Sequence, residues 1–190
     1  PISNDWFFPR YADGTLHEPA LTEALLRSLS DDSVFYDVGS NVGYFTVFAA
    51  NRCTDGAVYA FDIHPKLIEA TERSLDRNEI SCDVETVRKA VSDTTGETVS
   101  FEESTVPIID DENGSEERLT AETVSLDDFC TGNPSPDVLK VDVEGYEYRV
   151  IDGAQDILDD TRLLFLEVHP RKIEQLGDSL ADLATALEPR

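Results

Sequence analysis

Between residues 34 and 62 the chain alternates in a way that few folds accommodate. An apolar run, Val34-Phe35-Tyr36, ends in Asp37, and a turn follows that carries Gly39 and Gly43. Helical spacing runs from Val42 to Asn51. A second apolar run, Ala57 to Phe61, closes on Asp62. Strand, glycine turn, helix and strand make a parallel βαβ unit with a right-handed crossover. Glycines at such a turn let the backbone approach a ligand, and the helix start offers free N–H groups. The acid that ends the second strand can accept bonds from both hydroxyls of a ribose. The unit predicts a pocket for a nucleoside-bearing cofactor, with Asp37, Gly39, Ser40, Asn41, Gly43, Asp62 and Ile63 as binding candidates.

The glycine spacing narrows the ligand. A dinucleotide turn reads G-x-G-x-x-G, whereas Gly39-Ser40-Asn41-Val42-Gly43 reads G-x-x-x-G, and no Gly-Lys-Ser/Thr follows as in a phosphate-binding loop. An acid two positions ahead of the first glycine suits a positively charged, amino-acid-bearing ligand better than a pyrophosphate. A nicotinamide-dependent oxidoreductase is the alternative that this spacing argues against.

The alternation continues downstream. The spacing predicts a helix over 18–29, a helix over 65–78 with Pro65 in its first turn, and a third strand over 84–91. It further predicts a short strand over 98–101, a fourth main strand over 138–143, a helix over 146–158, a fifth strand over 163–168 and a last amphipathic helix over 179–187. The strands are near-continuously apolar, as expected for a parallel sheet covered on both faces. Residues 102–122 are polar and acidic, contain Asn113-Gly114, and read as an exposed loop or insertion. Residues 1–30 read as an N-terminal cap segment with an aromatic cluster at Trp6, Phe7, Phe8 and Tyr11. The whole of 1–190 is expected to be one domain, without internal repeats.

Charge limits the partners. Forty acids against 15 bases give a net charge of −25, and only Lys66, Lys89, Lys140 and Lys172 are lysines. The acids are spread along the chain. A surface of that sign repels nucleic acid phosphates and anionic membranes. It also resembles the surfaces of proteins from salt-loving organisms, where concentrated salt screens the repulsion. No apolar run approaches the roughly 20 residues of a membrane span. Cys53, Cys82 and Cys130 form neither a CxxC pair nor a Cys/His cluster and are expected to be reduced thiols. With no leader segment visible, a cytoplasmic location is expected.

Three further segments carry chemistry. Ala90-Val91-Ser92, closing the third strand, is small enough to let the backbone meet an adenine edge. Leu139-Lys140-Val141-Asp142-Val143-Glu144-Gly145 puts three charges in and after a central strand, which is costly unless they are paired or used. Lys140 and Asp142 share a face by period two. Glu167 and His169 end the fifth strand. If the fourth and fifth strands are neighbours, Asp142, Glu144, Glu167 and His169 surround one mouth at the carboxyl ends of the strands, where open α/β sheets bind ligands. Such a group could supply a general base or a divalent cation site.

Taken together, Tyr36 to Gly43, Phe61-Asp62, Ala90 to Ser92, Ser125-Leu126-Asp127-Asp128-Phe129, Leu139 to Glu147 and Glu167-Val168-His169 resemble the FkbM-type family of S-adenosylmethionine-dependent methyltransferases. The resemblance covers residues 34–170. It implies an α/β, class I methyltransferase (Rossmann-like) fold: a mostly parallel sheet with helices on both faces. That sheet normally has a sixth and a seventh strand after the last helix, and here these two are expected to be lacking. S-adenosyl-L-methionine is the implied cofactor, and O-methylation of a sugar, a glycolipid or another small hydroxylated molecule the implied reaction. Asp37, Gly39 and Asn41 would line the methionine end, Asp62 the ribose, and Ala90, Val91 and Ser92 the adenine side. Asp142 and Glu144 would lie beside the methyl group. A hydroxyl acceptor needs a base, for which His169 is the first candidate and Glu144 the second, with Asp142 orienting the cofactor or substrate. The family does not generally imply a metal, and none is expected. A non-catalytic S-adenosylmethionine-binding protein is the other alternative.

Overall fold

The computed structural model describes residues 15–102 and 118–188. The aromatic cluster at Trp6–Tyr11 and the sequence around Asn113-Gly114 lie outside them. The elements follow in the order α1 (Pro19–Ser28), β1 (Val34–Val38), α2 (Tyr44–Arg52), β2 (Ala57–Phe61), α3 (Pro65–Asp76), β3 (Asp83–Val87), β4 (Ala90–Val91), β5 (Thr98–Glu102) and β6 (Arg118–Val124). They continue with α4 (Leu126–Phe129), β7 (Val138–Val141), α5 (Glu147–Asp152), α6 (Gln155–Leu158), β8 (Leu163–Leu166), α7 (Pro170–Gln175) and α8 (Leu180–Ala186).

Five strands form one sheet in the order β3-β2-β1-β7-β8, and every pairing is parallel. The strand order reverses between β1 and β7, so the loops after these two strands open a crevice at their carboxyl ends. Among the described residues no further strand joins this sheet.

Period-two alternation sorts the strand residues onto two faces. Tyr36, Val38, Tyr59, Phe61, Leu139 and Val141 pack with Val150, Ala154 and Ile157 of the α5–α6 region. Phe35, Val58 and Val138 pack on the other side with Leu25 of α1 and Phe45 and Ala49 of α2. Phe35, Tyr36 and Phe61 are almost wholly buried, and each such side chain stabilises the fold by about 2 kcal/mol. The polar interruptions follow the same rule: Asp37 falls on the α1–α2 face, directly beside Lys140 of β7 in register.

A second, smaller sheet has the order β4-β6-β5. The expected third strand over 84–91 is therefore two strands. The chain turns after Val87, where the Lys89 N–H bonds the Val87 carbonyl at 3.0 Å, and Ala90–Val91 then pair with β6. Arg118–Val124 is a strand, although it falls partly inside the stretch read as a loop. Its partner β5 was expected and forms an antiparallel pair with it. The helix expected over 146–158 breaks at Gly153-Ala154. A Cβ on Gly153 would come within 2.1 Å of the Ser92 carbonyl oxygen, so only a glycine lets α5 approach the end of β4 this closely.

Two acids serve the scaffold, Asp127 in α4 and Asp137 in the segment before β7. Asp127 accepts from the Asp156 and Ile157 N–H groups and caps α6. Asp137 accepts from the Val34 N–H at 2.8 Å and ties the start of β1 to the segment leading into β7. All three cysteines are free thiols. Burial pushes the Cys53 thiol up to about 12 and the Cys82 thiol up to about 11, which makes them poor nucleophiles. Among the described residues no helix is long and apolar enough to cross a membrane.

Candidate active site

The crevice at the β1–β7 switch holds a cavity of about 460 Å³, a size suited to a cofactor-sized ligand. Its floor is the turn after β1. Gly39 has φ +79, and a Cβ there would sit 1.8 Å from the Asp142 carbonyl oxygen. The two strand-end loops therefore touch backbone to backbone, and no other residue fits this position. The N–H groups of Gly39 and Ser40 both bond the Phe61 carbonyl at 3.0 Å, which latches the turn onto β2. Asn41 follows with φ 53, an uncommon conformation for a side-chain-bearing residue.

Asp62 stands at the cavity wall where β2 ends. One carboxylate oxygen accepts from the Asn41 N–H at 3.0 Å and the other from the His64 N–H at 2.9 Å. The side chain is thus held by the turn on one side and by the start of α3 on the other. Burial pushes its pKa up to about 6, against the pull of the two N–H groups. His64 itself is buried and caps α3, its Nδ1 accepting from the Lys66 N–H. Ala90 and Val91 of β4 with Val99, Ser100 and Phe101 of β5 also line the cavity.

Below the floor lies an ion pair withdrawn from water. Lys140 Nζ is 3.2 Å from Asp37 Oδ1, with side-chain exposures of 5% and 0%. Thr46 of α2 donates to the other Asp37 oxygen at 2.7 Å. The ammonium also donates to the Gly39 carbonyl at 3.4 Å, lies 3.9 Å from Asp142 and sits over the Phe45 ring. Burial alone would lower the Lys140 pKa, but Asp37 and Asp142 outweigh it and the net shift is upward. Lys140 therefore remains a cation, tying β1, β7 and the glycine turn together.

The loop after β7 brings acids to the cavity mouth. Asp142 and Glu144 both reach the wall, with Tyr146 and Lys172. Glu144 has φ 56, a conformation that costs a non-glycine residue about 1 kcal/mol or more. Its carboxylate is bound by the Lys172 ammonium and lies 3.3 Å from His169 Nε2. Desolvation raises the Asp142 pKa, Lys140 opposes this, and Glu167 adds to it; the net is above the usual carboxylate range. Asp142, Glu144 and His169 each offer one ligand atom within 4.8 Å of the others. Because Lys172 already neutralises Glu144 there, the cluster reads as an ion-pair network.

The residues singled out from the sequence divide into two groups. Gly39, Asn41, Asp62, Ile63, Ala90, Val91, Asp142 and Glu144 line one cavity. Asp37, Ser40, Gly43, Ser92 and His169 do not. Asp37 is paired with Lys140 and lies outside the cavity lining. Ser40 is buried in the turn. Gly43 leads into α2 and faces Thr71 of α3, which a Cβ would meet at 2.7 Å. Ser92 is buried and bonds Asp93. His169 is outside the lining and contacts it through Glu144, 3.3 Å from Nε2. Not singled out were the β5 residues Val99, Ser100 and Phe101, and α7 with Lys172. Neither a short strand of mixed polarity nor so short a helix has a pattern that marks it as a cavity wall.

Comparisons agree with this geometry. Residues 37–189 match the Methyltransferase FkbM domain. The chain is 30% identical over 155 residues to the hexuronic acid methyltransferase AglP of Haloferax volcanii, covering 80% of this chain and 62% of that protein. It thus spans less than two thirds of the length of that relative. The crystal structure of an FkbM methyltransferase from Methylobacillus flagellatus superposes with a TM-score of 0.57 at 15% identity, over 83% of this chain and 37% of that one. A precorrin-6y C5,15-methyltransferase from Geobacter metallireducens gives 0.53 at 18% identity, over 91% and 72%. At such identities the structures speak for the fold, the Rossmann-like class I arrangement. The domain match, covering most of the chain, carries the assignment: the protein belongs to the FkbM methyltransferase family.

Proposed function

We propose that the protein is an S-adenosyl-L-methionine-dependent O-methyltransferase acting on a sugar, with a hexuronic acid as the acceptor to test first. The observation that carries this reading is the Asp62 carboxylate, pinned by the Asn41 and His64 N–H groups at the wall of a cavity floored by Gly39. A carboxylate fixed in this way is pre-organised to accept from a ribose diol without ordering cost at binding. Family membership supports a methyl donor as the ligand, and the AglP likeness supports a sugar acid as the acceptor.

When bound, S-adenosyl-L-methionine would supply a sulfonium methyl group for transfer to an acceptor oxygen. The chain's own residues then divide the work. Gly39 and Asn41 hold the amino-acid end, Asp62 the ribose, and Ala90, Val91 and Phe101 the adenine. Asp142, on the cavity lining, would place negative charge near the sulfonium, which would favour the cationic donor over its neutral product, whereas Glu144 is already neutralised by Lys172. The walls align acceptor and methyl, and such alignment is where most of the rate gain arises. His169, once an acceptor displaces Glu144 from its Nε2, takes the acceptor proton. The acidic surface supports a small acceptor rather than a nucleic acid. Calorimetry with S-adenosyl-L-methionine and with NAD tests the cofactor assignment. Binding of the first and not the second is expected, and the reverse would overturn it.

A further inference from the structure

Glu147 is the first residue of α5, and its side chain is fully buried. One oxygen, Oε1, accepts from the Gly145 N–H at 3.0 Å and lies 2.7 Å from His169 Nδ1. The other oxygen is buried without a hydrogen-bond partner among the described residues. A carboxylate withdrawn from water is expensive unless a donor or a cation compensates it. Among the described residues, His169 is the group that forms an ion pair with it. Neither the glycine turn nor the cofactor wall requires an acid at this position.

An ionised carboxylate only accepts hydrogen bonds, so a ring nitrogen in contact with it must carry the proton. The shorter contact to the buried Glu147 assigns Nδ1 as N–H, and Nε2, which faces the exposed Glu144 already held by Lys172, is left as the titrating atom. Nε2 faces Glu144 at 3.3 Å and Glu167 at 3.6 Å, and Glu144 forms part of the cavity wall. We propose that Glu147 is a positioning residue that holds His169 with Nδ1–H towards the protein interior and Nε2 towards the acceptor end of the cavity.

This deepens the methyl-transfer reading and rests on it for the identity of the acceptor; the pairing itself is a property of the protein alone. In the reaction the acceptor O–H bond breaks and its proton goes to Nε2 of neutral His169. The oxygen electron pair forms the bond to the methyl carbon, and the carbon–sulfur bond breaks onto sulfur. The imidazolium later releases its proton to water. Glu144 covers Nε2 in the free protein, and Lys172 binds the same Glu144 oxygen, giving that carboxylate a partner when an acceptor displaces it from His169.

The groups that face His169 are Glu147 from α5, Asp142 and Glu144 from the loop after β7, and Glu167 from its own loop, with Lys172 beside Glu144. Burial pulls the imidazole pKa down, but the Glu147 bond and the Glu144 charge outweigh it, and the net is above the ordinary value. Free His169 is thus protonated over a wider range than an isolated histidine and acts as a base only once that proton has left.

The test is 15N NMR of the imidazole nitrogens over a pH titration of the full chain. The sequence has three histidines, and His169→Asn assigns the signal by its loss. In the neutral form Nδ1 is expected to be protonated and Nε2 bare; an Nε2-protonated neutral form overturns the proposal. In Glu147→Gln, where the amide oxygen can still accept from Gly145, the His169 pKa is expected to fall by about one unit or more. An unchanged pKa in the folded variant overturns the proposal as well. Should that variant fail to fold, the wild-type tautomer alone decides. Neither readout depends on methyl transfer, so failure here is separable from failure of the cofactor assignment.

Discussion

The affinity for S-adenosyl-L-methionine should titrate with a single carboxylate. Asp62 holds two backbone N–H groups at 3.0 and 2.9 Å and has a pKa of about 6 because burial penalises its charge. Ribose hydroxyls donate to the ionised form, so binding requires the proton to leave. With that pKa, roughly ten elevenths of the protein is ionised at pH 7 and one eleventh at pH 5, so affinity should fall about tenfold, or about 1.4 kcal/mol. The sign for stability is the opposite. A carboxyl whose folded pKa is raised favours the fold while protonated, and that contribution is lost as pH rises from about 4 through 6. Cofactor affinity should therefore rise with pH over the range in which Asp62's own contribution to stability declines. Calorimetry between pH 5 and 7 at constant salt measures the first effect. Asp62→Asn should abolish the pH dependence, and Asp62→Ala should weaken binding at pH 7 by about 3 kcal/mol, since two hydrogen bonds to a charged group are lost. A wild-type affinity independent of pH, or unchanged affinity in Asp62→Ala, would refute the assignment of this wall to the ribose.

Three other outcomes follow from the same geometry. Lys140→Met leaves Asp37 buried and unpaired, and urea unfolding should show a loss of about 3–5 kcal/mol; a loss below about 1 kcal/mol, the range of exposed pairs, would mean that the pair is not withdrawn from water. Gly39→Ala forces a Cβ into the Asp142 carbonyl at a positive φ, so thermal melts should drop by several degrees, and calorimetry should show cofactor binding abolished. With a net charge of −25, the melting temperature should climb as KCl is raised from about 0.1 M to molar levels, because the self-repulsion of the surface is screened; a flat or falling curve would argue against that reading of the composition.

What the sequence disclosed depended on how local the signal was. The β1 turn and Asp62 were legible because strand, glycine and acid lie close together in sequence, within one βαβ unit. The exchange of β4 into a second sheet was not, because Val84 to Val91 holds no glycine or proline to mark a break and only long-range pairing with Arg118–Val124 separates the two. That partner strand alternates as Leu119, Ala121 and Thr123, but it borders an acidic stretch whose composition reads as loop. Asp37 shows the complementary limit. A carboxylate before a glycine turn reads as a ligand contact, and only the register that sets it opposite Lys140 reveals a buried pair. Glu147 was visible as a member of the Lys140–Glu147 segment, yet nothing local says that its side chain turns inward to meet a histidine beyond the next strand.

Whether this FkbM family member methylates a sugar oxygen, as we propose, is decided by incubating the protein with methyl-labelled S-adenosyl-L-methionine and a panel of hexuronic acids and neutral sugars in molar salt. Label in a sugar acid, with an equal yield of S-adenosylhomocysteine and loss of transfer in Asp62→Ala, is the predicted result. S-adenosyl-L-methionine that binds the Asp62 wall yet passes no label to any sugar would overturn the proposed sugar methylation.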